Sequence, residues 1–180
     1  MAFWSTGKTT PKRNFRWLVT MNDRVQWWAK TVTTPAYEVS EVEHDFMDNK
    51  YYYPGRVTWN EISLTLVDPA GDPVDCVQNT LDIIKKSGYN LKEPKTGQQF
   101  ISKEKARTAL KGIKIEVLNG EGLAIETWIL KNPFIKSAKY GDLDYSNDDL
   151  RTVELSIRYD WATCDHLSDA GPVPSFDPEK

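Results

Sequence analysis

The segment STGKTTPKR near the N-terminus contains the triplet that ends a phosphate-binding loop. Such loops have the spacing Gly-x-x-x-x-Gly-Lys-[Ser/Thr], in which the glycines let backbone N–H groups surround the phosphates of a nucleotide. Gly7, Lys8 and Thr9 match the end of this pattern, but the first glycine would fall on Ala2. A phosphate-binding loop also follows a buried strand and opens a helix, and the local sequence predicts neither. We therefore predict an N-terminal arm over residues 1–13 and no nucleotide site.

The other residues that could perform chemistry lack the spacing that it requires. His44 and His166 are the two histidines, and no metal-ligand spacing links them. The segment DLDYSND resembles the start of a calcium loop, but Asn147 stands where that loop needs glycine. No serine lies in a Gly-x-Ser-x-Gly turn, and Cys76 and Cys164 are too isolated to predict a disulfide framework. The sequence predicts no catalytic residue, no metal and no cofactor.

Size and charge favour one domain that does not grip nucleic acid. The 180 residues carry 23 basic and 26 acidic side chains, a net charge of -3. Proteins that bind duplex DNA tightly usually present a net basic face, so this class is disfavoured. Seven tryptophans and eight tyrosines are more than one small core buries, which indicates interfaces. We predict a single domain over 14–164 and an extended tail over 165–180.

An apolar–polar alternation with a period of two residues dominates the domain and indicates β-strands. It predicts an N-terminal hairpin over NFRWLVTM and RVQWWAKTVTT, a strand over VTWNEISLTLV, a second hairpin over IKIEVLNGEGLAIETWIL and a closing strand over RTVELSIRYDW. One helix is predicted at about 73–88, with Val77, Leu81 and Ile84 on its apolar face, and a short second helix over SKEKARTAL. The segment SAKYGDLDYSNDD is predicted as an acidic loop. The predicted fold class is mainly β, an antiparallel sandwich or barrel of about six strands with one flanking α-helix.

Two strands have one apolar and one polar face. The closing strand is predicted to supply the core with Val153, Leu155, Ile157, Tyr159 and Trp161. Its polar face, together with that of the strand near residue 60, contains Glu61, Ser63, Thr65, Glu154, Ser156 and Arg158. These polar faces are candidates for a special role, or they are ordinary solvated surfaces. Arg158 is expected to pair with Glu154 or Asp160.

Residues 40–56 show no clean period and are predicted as a long loop that ends in a Pro54-Gly55 turn. Long connections within a compact domain are usually functional, and aromatic residues dominate contact energies between subunits. The loop is therefore a candidate contact with another subunit, although its tyrosines could also pack over a sheet edge. The candidate contact residues are His44, Phe46, Tyr51, Tyr52, Tyr53 and Arg56.

Residues 14–68 and 113–162 resemble the tail tube proteins of contractile-tailed bacteriophages. The likeness lies in the opening hairpin, a Thr-Pro segment, a long loop, a Pro-Gly-Arg turn and the closing strand VELSIRYDW. The resemblance implies six-subunit rings in which strands of all subunits close one shared β-barrel. It further implies that rings stack into the inner tube of the virion tail, assembled in the host cytoplasm.

The resemblance also implies partners and a role for the candidate surfaces. The partners would be further copies of the chain, the sheath protein, and the baseplate and terminator proteins, with DNA passing through the lumen without specific binding. The long loop becomes the expected ring-to-ring contact, and the six polar residues become candidates for a lumen lining that is neutral or acidic on balance. Two alternatives stay open: a baseplate or tube-initiator protein of the same fold, and a soluble β-sandwich that binds a ligand through its tyrosines.

Overall fold

The computed structural model describes residues 11–71, 75–89 and 100–166, and within them the chain forms eleven strands and two helices. The strands are β1 (Trp17–Met21), β2 (Arg24–Val25), β3 (Ala29–Val32), β4 (Tyr37–Phe46), β5 (Asn49–Trp59), β6 (Ile62–Val67), β7 (Ile113–Leu118), β8 (Ala124–Lys131), β9 (Phe134–Lys139), β10 (Thr152–Arg158) and β11 (Trp161–His166). The helices are α1 (Cys76–Lys86) and α2 (Lys103–Leu110). The mainly β class is confirmed, and α2 lies within SKEKARTAL, where the short second helix was predicted, but the predicted six strands and one flanking helix are too few.

The strands form two core sheets and one separate hairpin. The five-stranded sheet has the order β11-β8-β7-β1-β2, and the four-stranded sheet has the order β3-β6-β10-β9. Within the described ranges, β4 pairs with β5 and with no other strand. All pairings are antiparallel. Val19 and Ile115 of the larger sheet and Leu64 and Leu155 of the smaller sheet lie in one buried cluster. The predicted antiparallel sandwich is therefore confirmed within one copy of the chain.

Two of the predicted strands, RVQWWAKTVTT and RTVELSIRYDW, are each divided between the two sheets. In both, the chain turns a corner from one sheet to the other near a tryptophan. RVQWWAKTVTT forms β2 in the larger sheet and β3 in the smaller one, with a turn at Trp27 and Trp28 between them. In the closing segment Val153, Leu155, Ile157 and Tyr159 are buried as predicted, but Trp161 is 48% exposed. Trp161 begins β11, which pairs with β8 in the other sheet. Its predicted place in the core is wrong because the alternation of faces does not continue through the corner.

The predicted first helix begins later, and its fully buried residues lie one position before those of the predicted face, which is half-buried and still packs against the core through Val77. Asp75 caps its N-terminus by accepting a hydrogen bond from the backbone N–H of Gln78 at 2.7 Å. The buried residues are Cys76, Thr80 and Ile83, each next to a residue of the predicted face. Burial raises the pKa of the Cys76 thiol to about 11, with the nearby acids as a smaller cause.

The segment predicted as a loop over 40–56 is instead most of the β4–β5 hairpin. The predicted acidic loop is shorter than expected, because residues 137–139 belong to β9. β11 ends at His166, two residues beyond the predicted end of the domain. The predicted tail from 167 to 180 and the first ten residues of the predicted arm lie outside the described residues.

Candidate functional site

The β4–β5 hairpin projects from the sandwich as an isolated two-stranded ribbon. Every residue of β4 is exposed, and so is every residue of β5 except Trp59. At about 3.4 Å per residue, the ten residues of β4 extend about 30 Å. The reversal lies at Met47, which has a φ of 54° and is 85% exposed. The predicted Pro54-Gly55 turn is therefore wrong.

Gly55 is required by a close approach inside the hairpin. The register between β4 and β5 shifts between Val39 and Glu41, which is the signature of a β-bulge. A Cβ atom on Gly55 would lie 2.3 Å from Ser40 Oγ and 2.9 Å from the Ser40 carbonyl oxygen. Ser40 Oγ accepts a hydrogen bond from the backbone N–H of Arg56 at 2.8 Å. The Pro-Gly pair thus marks a bulge within a strand.

The hairpin has one aromatic and one acidic face, because residues opposite each other in a strand pair lie on the same side. Register pairs Val42 with Tyr53, His44 with Tyr51 and Phe46 with Asn49. We call Val42, His44, Phe46, Tyr51 and Tyr53 the aromatic face. The opposite side, the acidic face, contains Glu41, Glu43, Asp45, Lys50 and Tyr52, and Lys50 forms an ion pair with Glu43.

Four of the six predicted contact residues therefore lie together on the aromatic face. Tyr52 lies on the acidic face, and Arg56 follows the bulge near the base of the hairpin. An exposed row of large apolar side chains is unusual on a monomer and marks an interaction surface. The base of the hairpin is joined to the core by a chain of aromatic rings: Tyr37 to Trp59 at 5.4 Å and Trp59 to Tyr159 at 6.0 Å between centroids.

The six predicted polar residues form a second surface, on the outer side of the four-stranded sheet. Glu154 of β10 pairs with Thr65 of β6, and Ser156 pairs with Ser63. Ser156 Oγ donates a hydrogen bond to Glu61 Oε2 at 2.7 Å. The sequence alternation thus correctly grouped these residues, and we call this surface the polar face.

Glu61 lies among the basic side chains of the polar face and pairs with two of them. Its carboxylate accepts a hydrogen bond from Lys136 Nζ and lies 3.9 Å from Arg158 Nη1. The hydrogen bonds from Lys136 and Ser156 lower the pKa of the Glu61 carboxyl below its ordinary value. The expected partners of Arg158 are therefore wrong: its ion pair is with Glu61, and Asp160 instead binds Lys103 and Asn132.

The polar face has mixed charge rather than the neutral or acidic character expected. Lys139 of β9 pairs directly with Glu154 in the register, so it shares the face with Lys136 and Arg158. Sequence reasoning missed Lys139 because it assigned residues 137–139 to a loop, and it missed Lys136 because it predicted no strand over residues 131–136. The only sequence signal for β9 is the short apolar run that begins at Phe134.

The four-stranded sheet ends in two edges that have no partner strand among the described residues. β3 and β9 are the outer strands. Since each of the three pairings between them is antiparallel, β3 and β9 run in opposite directions. An exposed edge offers a row of unpaired backbone groups to another strand. Placing β9 of one copy beside β3 of the next would continue the antiparallel order without interruption.

Metal and membrane signatures are not found in the part of the chain that the structure describes. It brings together no group of three or more potential metal ligands there. Nor does it contain, in those ranges, a helix of the length and apolarity that crossing a bilayer needs.

Neither family models nor curated proteins match the sequence, whereas solved structures match the fold. A chain in the tube-terminating cap of the anti-feeding prophage aligns with a TM-score of 0.63 at 15% identity, over 88% of this chain and 93% of its own. A chain in the extended sheath–tube complex of an extracellular contractile injection system aligns at 0.61 and 18%, over 93% and 99%. A chain in the six-fold symmetrised baseplate of the anti-feeding prophage aligns at 0.59 and 16%, over 89% and 99%.

The chain has the fold of tube and terminator proteins of contractile injection systems. The similarity covers nearly the whole length of each matched chain. The fold that the resemblance of the sequence implied for one copy of the chain is therefore confirmed.

Proposed function

We propose that this chain is a structural virion protein, the tail tube protein of a contractile bacteriophage tail. Six copies form a ring, rings stack into the inner tube, and DNA leaves the capsid through the lumen without specific binding. The sheath surrounds the tube, and baseplate and terminator proteins close its ends. No enzymatic activity is part of this role.

One observation carries the proposal: the four-stranded sheet has a buried face, a polar face and two edge strands that run in opposite directions and pair with no further strand in the described part of the chain. Joining β9 of each copy to β3 of the next removes both edges and closes a barrel in which every neighbouring pair of strands is antiparallel. Closure is the one arrangement that truly removes sheet edges. The apolar face of each sheet already packs on its own core, so the polar face lines the water-filled lumen.

The hairpin supplies the contact between rings in this proposal. It leaves the sandwich between β3 and β6, at one end of the four-stranded sheet, and its aromatic face is exposed along its length. A contact that joins one end of a subunit to a different surface of the next is heterologous, and such contacts build open filaments. A stack of rings requires a contact of this kind.

The test is electron microscopy of the purified protein over a range of concentrations. Six-fold rings that stack into tubes with a continuous lumen are the expected result. A protein that stays monomeric at the highest soluble concentration would contradict the proposal and favour the ligand-binding sandwich.

A second role, baseplate or tube-initiator protein, is favoured by the similarity to a chain in a baseplate. The two roles differ in copy number. A tube protein is present in many rings along each tail, whereas an initiator occurs in one or two rings at the end. Quantitative mass spectrometry of purified tails, with the sheath protein as the reference, separates the two.

A further inference from the structure

We propose that the acidic loop over residues 140–151 of one copy docks into a basic groove beside β3 of the next copy in the ring. This inference rests on the proposed ring and names a contact that lies outside the shared barrel. Its partner is a second copy of this chain.

The receiving surface lies between β1 and β3 and consists of two adjoining clefts. One cleft, of about 410 Å³, is lined by residues that include Phe15, Trp27 and Lys30. The other, of about 550 Å³, is lined by residues that include Arg13 and Arg16. Both are lined by Asn14 and Trp17, so they form one continuous surface, which we call the basic groove.

The charge of the basic groove is mostly uncompensated within one copy. Lys12 is bound by Glu126, and the Arg16 guanidinium lies 5.4 Å from the centre of the Phe15 ring. Arg13 and Lys30 are exposed, and neither forms a salt bridge with any residue that the structure describes. The described part of one copy therefore supplies no carboxylate that pairs with Arg13 or Lys30. An acidic segment from another copy would supply one.

The acidic loop connects β9 to β10 and has the complementary composition. It carries Asp142, Asp144, Asp148 and Asp149, and it exposes the apolar side chains of Leu143, Tyr145 and Leu150. Leu143 is 81% exposed and Tyr145 is fully exposed.

The loop has a defined shape although its side chains are exposed. Asp144 accepts hydrogen bonds from the backbone N–H and the hydroxyl of Ser146, and Asn147 accepts one from the backbone N–H of Asp149. Gly141 adopts a φ of 66° close to the Thr152 carbonyl oxygen, and Arg151 is paired with Asp68. A shaped loop loses less conformational freedom on binding than a flexible one.

The topology brings the loop and the groove to the same end of the sheet. Lys139, the last residue of β9, pairs with Glu154, which pairs with Thr65, which in turn pairs with Thr31 of β3. The loop therefore leaves the sheet at the end where β3 begins. That end lines the cleft with Lys30, and the cleft with Arg13 adjoins the other end of this four-residue strand, at Val32. In one copy β6 and β10 lie between β3 and β9, but where β9 of one copy lies beside β3 of the next the loop and the groove become neighbours.

The contact joins four aspartates to a groove with uncompensated basic residues, and exposed Leu143 and Tyr145 to exposed Phe15 and Trp27. Complementary charge across an interface sets register and disfavours wrong partners. The contact would thereby select the correct alignment of β9 against β3, which main-chain pairing alone specifies weakly.

Charge reversal tests the contact. Arg13→Glu with Lys30→Glu in the groove, or Asp148→Lys with Asp149→Lys in the loop, should each reduce ring formation at least about tenfold, because like charges then face each other. Combining all four substitutions should restore rings. Lys85→Glu with Lys86→Glu, on the exposed face of α1, is the matched control and should leave ring formation unchanged. Circular dichroism of each variant verifies that it is folded.

Cross-linking locates the contact directly, even where a reversal variant fails to fold. A photoreactive benzophenone side chain replaces Phe15, and rings are formed from a mixture of isotope-labelled and unlabelled copies. The expected product joins the groove of one copy to residues 140–151 of another. Capture of a different segment, including residues 1–10 of the same copy, would overturn the inference while leaving the proposed function intact. If the wild-type protein forms no rings at all, the proposed function and this inference both fail.

Discussion

The ring centroids of Trp59 and Tyr159 lie 6.0 Å apart, and this contact joins the projecting hairpin to the core. Tyr159 is buried at the end of the strand segment that carries Val153, Leu155 and Ile157, and Trp59 is the last residue of β5. Because the hairpin pairs with no other strand among the described residues, this aromatic contact is a main constraint on its direction. In the proposed tube, a change at Trp59 would therefore affect both the stability of the fold and the contact between rings.

Trp59→Ala should weaken both folding and assembly. Trp-to-Ala substitutions in cores cost about 3–5 kcal/mol, and Trp59 is half-buried, so we expect a loss of about 2 kcal/mol in the free energy of unfolding. Urea denaturation followed by circular dichroism measures it. Tyr52→Ala, at an exposed position of the same hairpin, is the control and should change stability by less than about 0.5 kcal/mol. Equal stability of the two variants would show that Trp59 does not anchor the hairpin.

Leu155→Ala should destabilise the sandwich at its centre. Leu155 is fully buried between the two sheets, and such truncations cost about 2–5 kcal/mol. We expect a lower melting temperature and a lower yield of soluble protein. Trp161→Ala serves as the control, because Trp161 is exposed on β11 and should cost much less. A larger loss at Trp161 than at Leu155 would place the centre of the core elsewhere.

The elements that sequence reasoning predicted well are those in which one face is buried throughout. Strands β6, β7 and β10 alternate because every second residue enters the same core. The residues between the buried ones then lie on the opposite side of the sheet, which is why the polar face could be predicted from the sequence.

The errors have two physical causes. Alternation does not survive a corner at which the chain changes sheet, so Trp161 was assigned to the core. The hairpin buries neither of its faces in one copy, so no core imposes the usual apolar–polar pattern on it, and residues 40–56 resemble a loop. Gly55 contributed to the same error, since a glycine needed beside Ser40 resembles a glycine needed in a turn.

Replacing Tyr51, Tyr52 and Tyr53 together by serine should give a folded protein that no longer polymerises. All three side chains are exposed, so little core packing is lost, whereas aromatic anchors carry much of the energy of an interface. Two partial variants distinguish the faces: Tyr51→Ser with Tyr53→Ser should abolish tubes, and Tyr52→Ser alone should weaken them less. Size-exclusion chromatography and microscopy provide the measurement. Tubes of normal length from the triple variant would exclude the hairpin as the contact between rings.

The Glu61 carboxyl should make the polar face sensitive to acid. The pKa of Glu61 is lowered in the folded state by hydrogen bonds from Lys136 and Ser156. The ionised carboxylate therefore stabilises the fold fully at a pH above its ordinary pKa of 4.5. This contribution is lost as the pH falls through the lowered pKa. An NMR titration of the side-chain carboxyl carbon checks the direction. Lys136→Met should move the Glu61 pKa back toward its ordinary value. An unchanged titration in that variant would show that Lys136 is not the main cause.

The last prediction concerns the passage of DNA. In the proposed tube the polar face lines the lumen, and each fixed cation that meets a phosphate adds a salt-dependent attraction. Glu61 holds Lys136 and Arg158 in its own ion pairs, and Glu154 lies opposite Lys139 across the β9–β10 pair. Glu61 thus binds two basic side chains that could otherwise meet a phosphate, and Glu154 places a negative charge opposite a third.

Glu61→Lys with Glu154→Lys should therefore preserve tubes but slow the ejection of DNA, most strongly at low salt, where phosphate attraction is least screened. The matched variant Glu61→Gln with Glu154→Gln removes the two negative charges without adding positive ones, and should slow ejection less. The rate of DNA release from purified virions, measured at several salt concentrations, gives the comparison. If the lysine variant ejects DNA at the parental rate at every salt concentration, the polar face does not line the conduit, and the barrel closes with another surface toward the lumen.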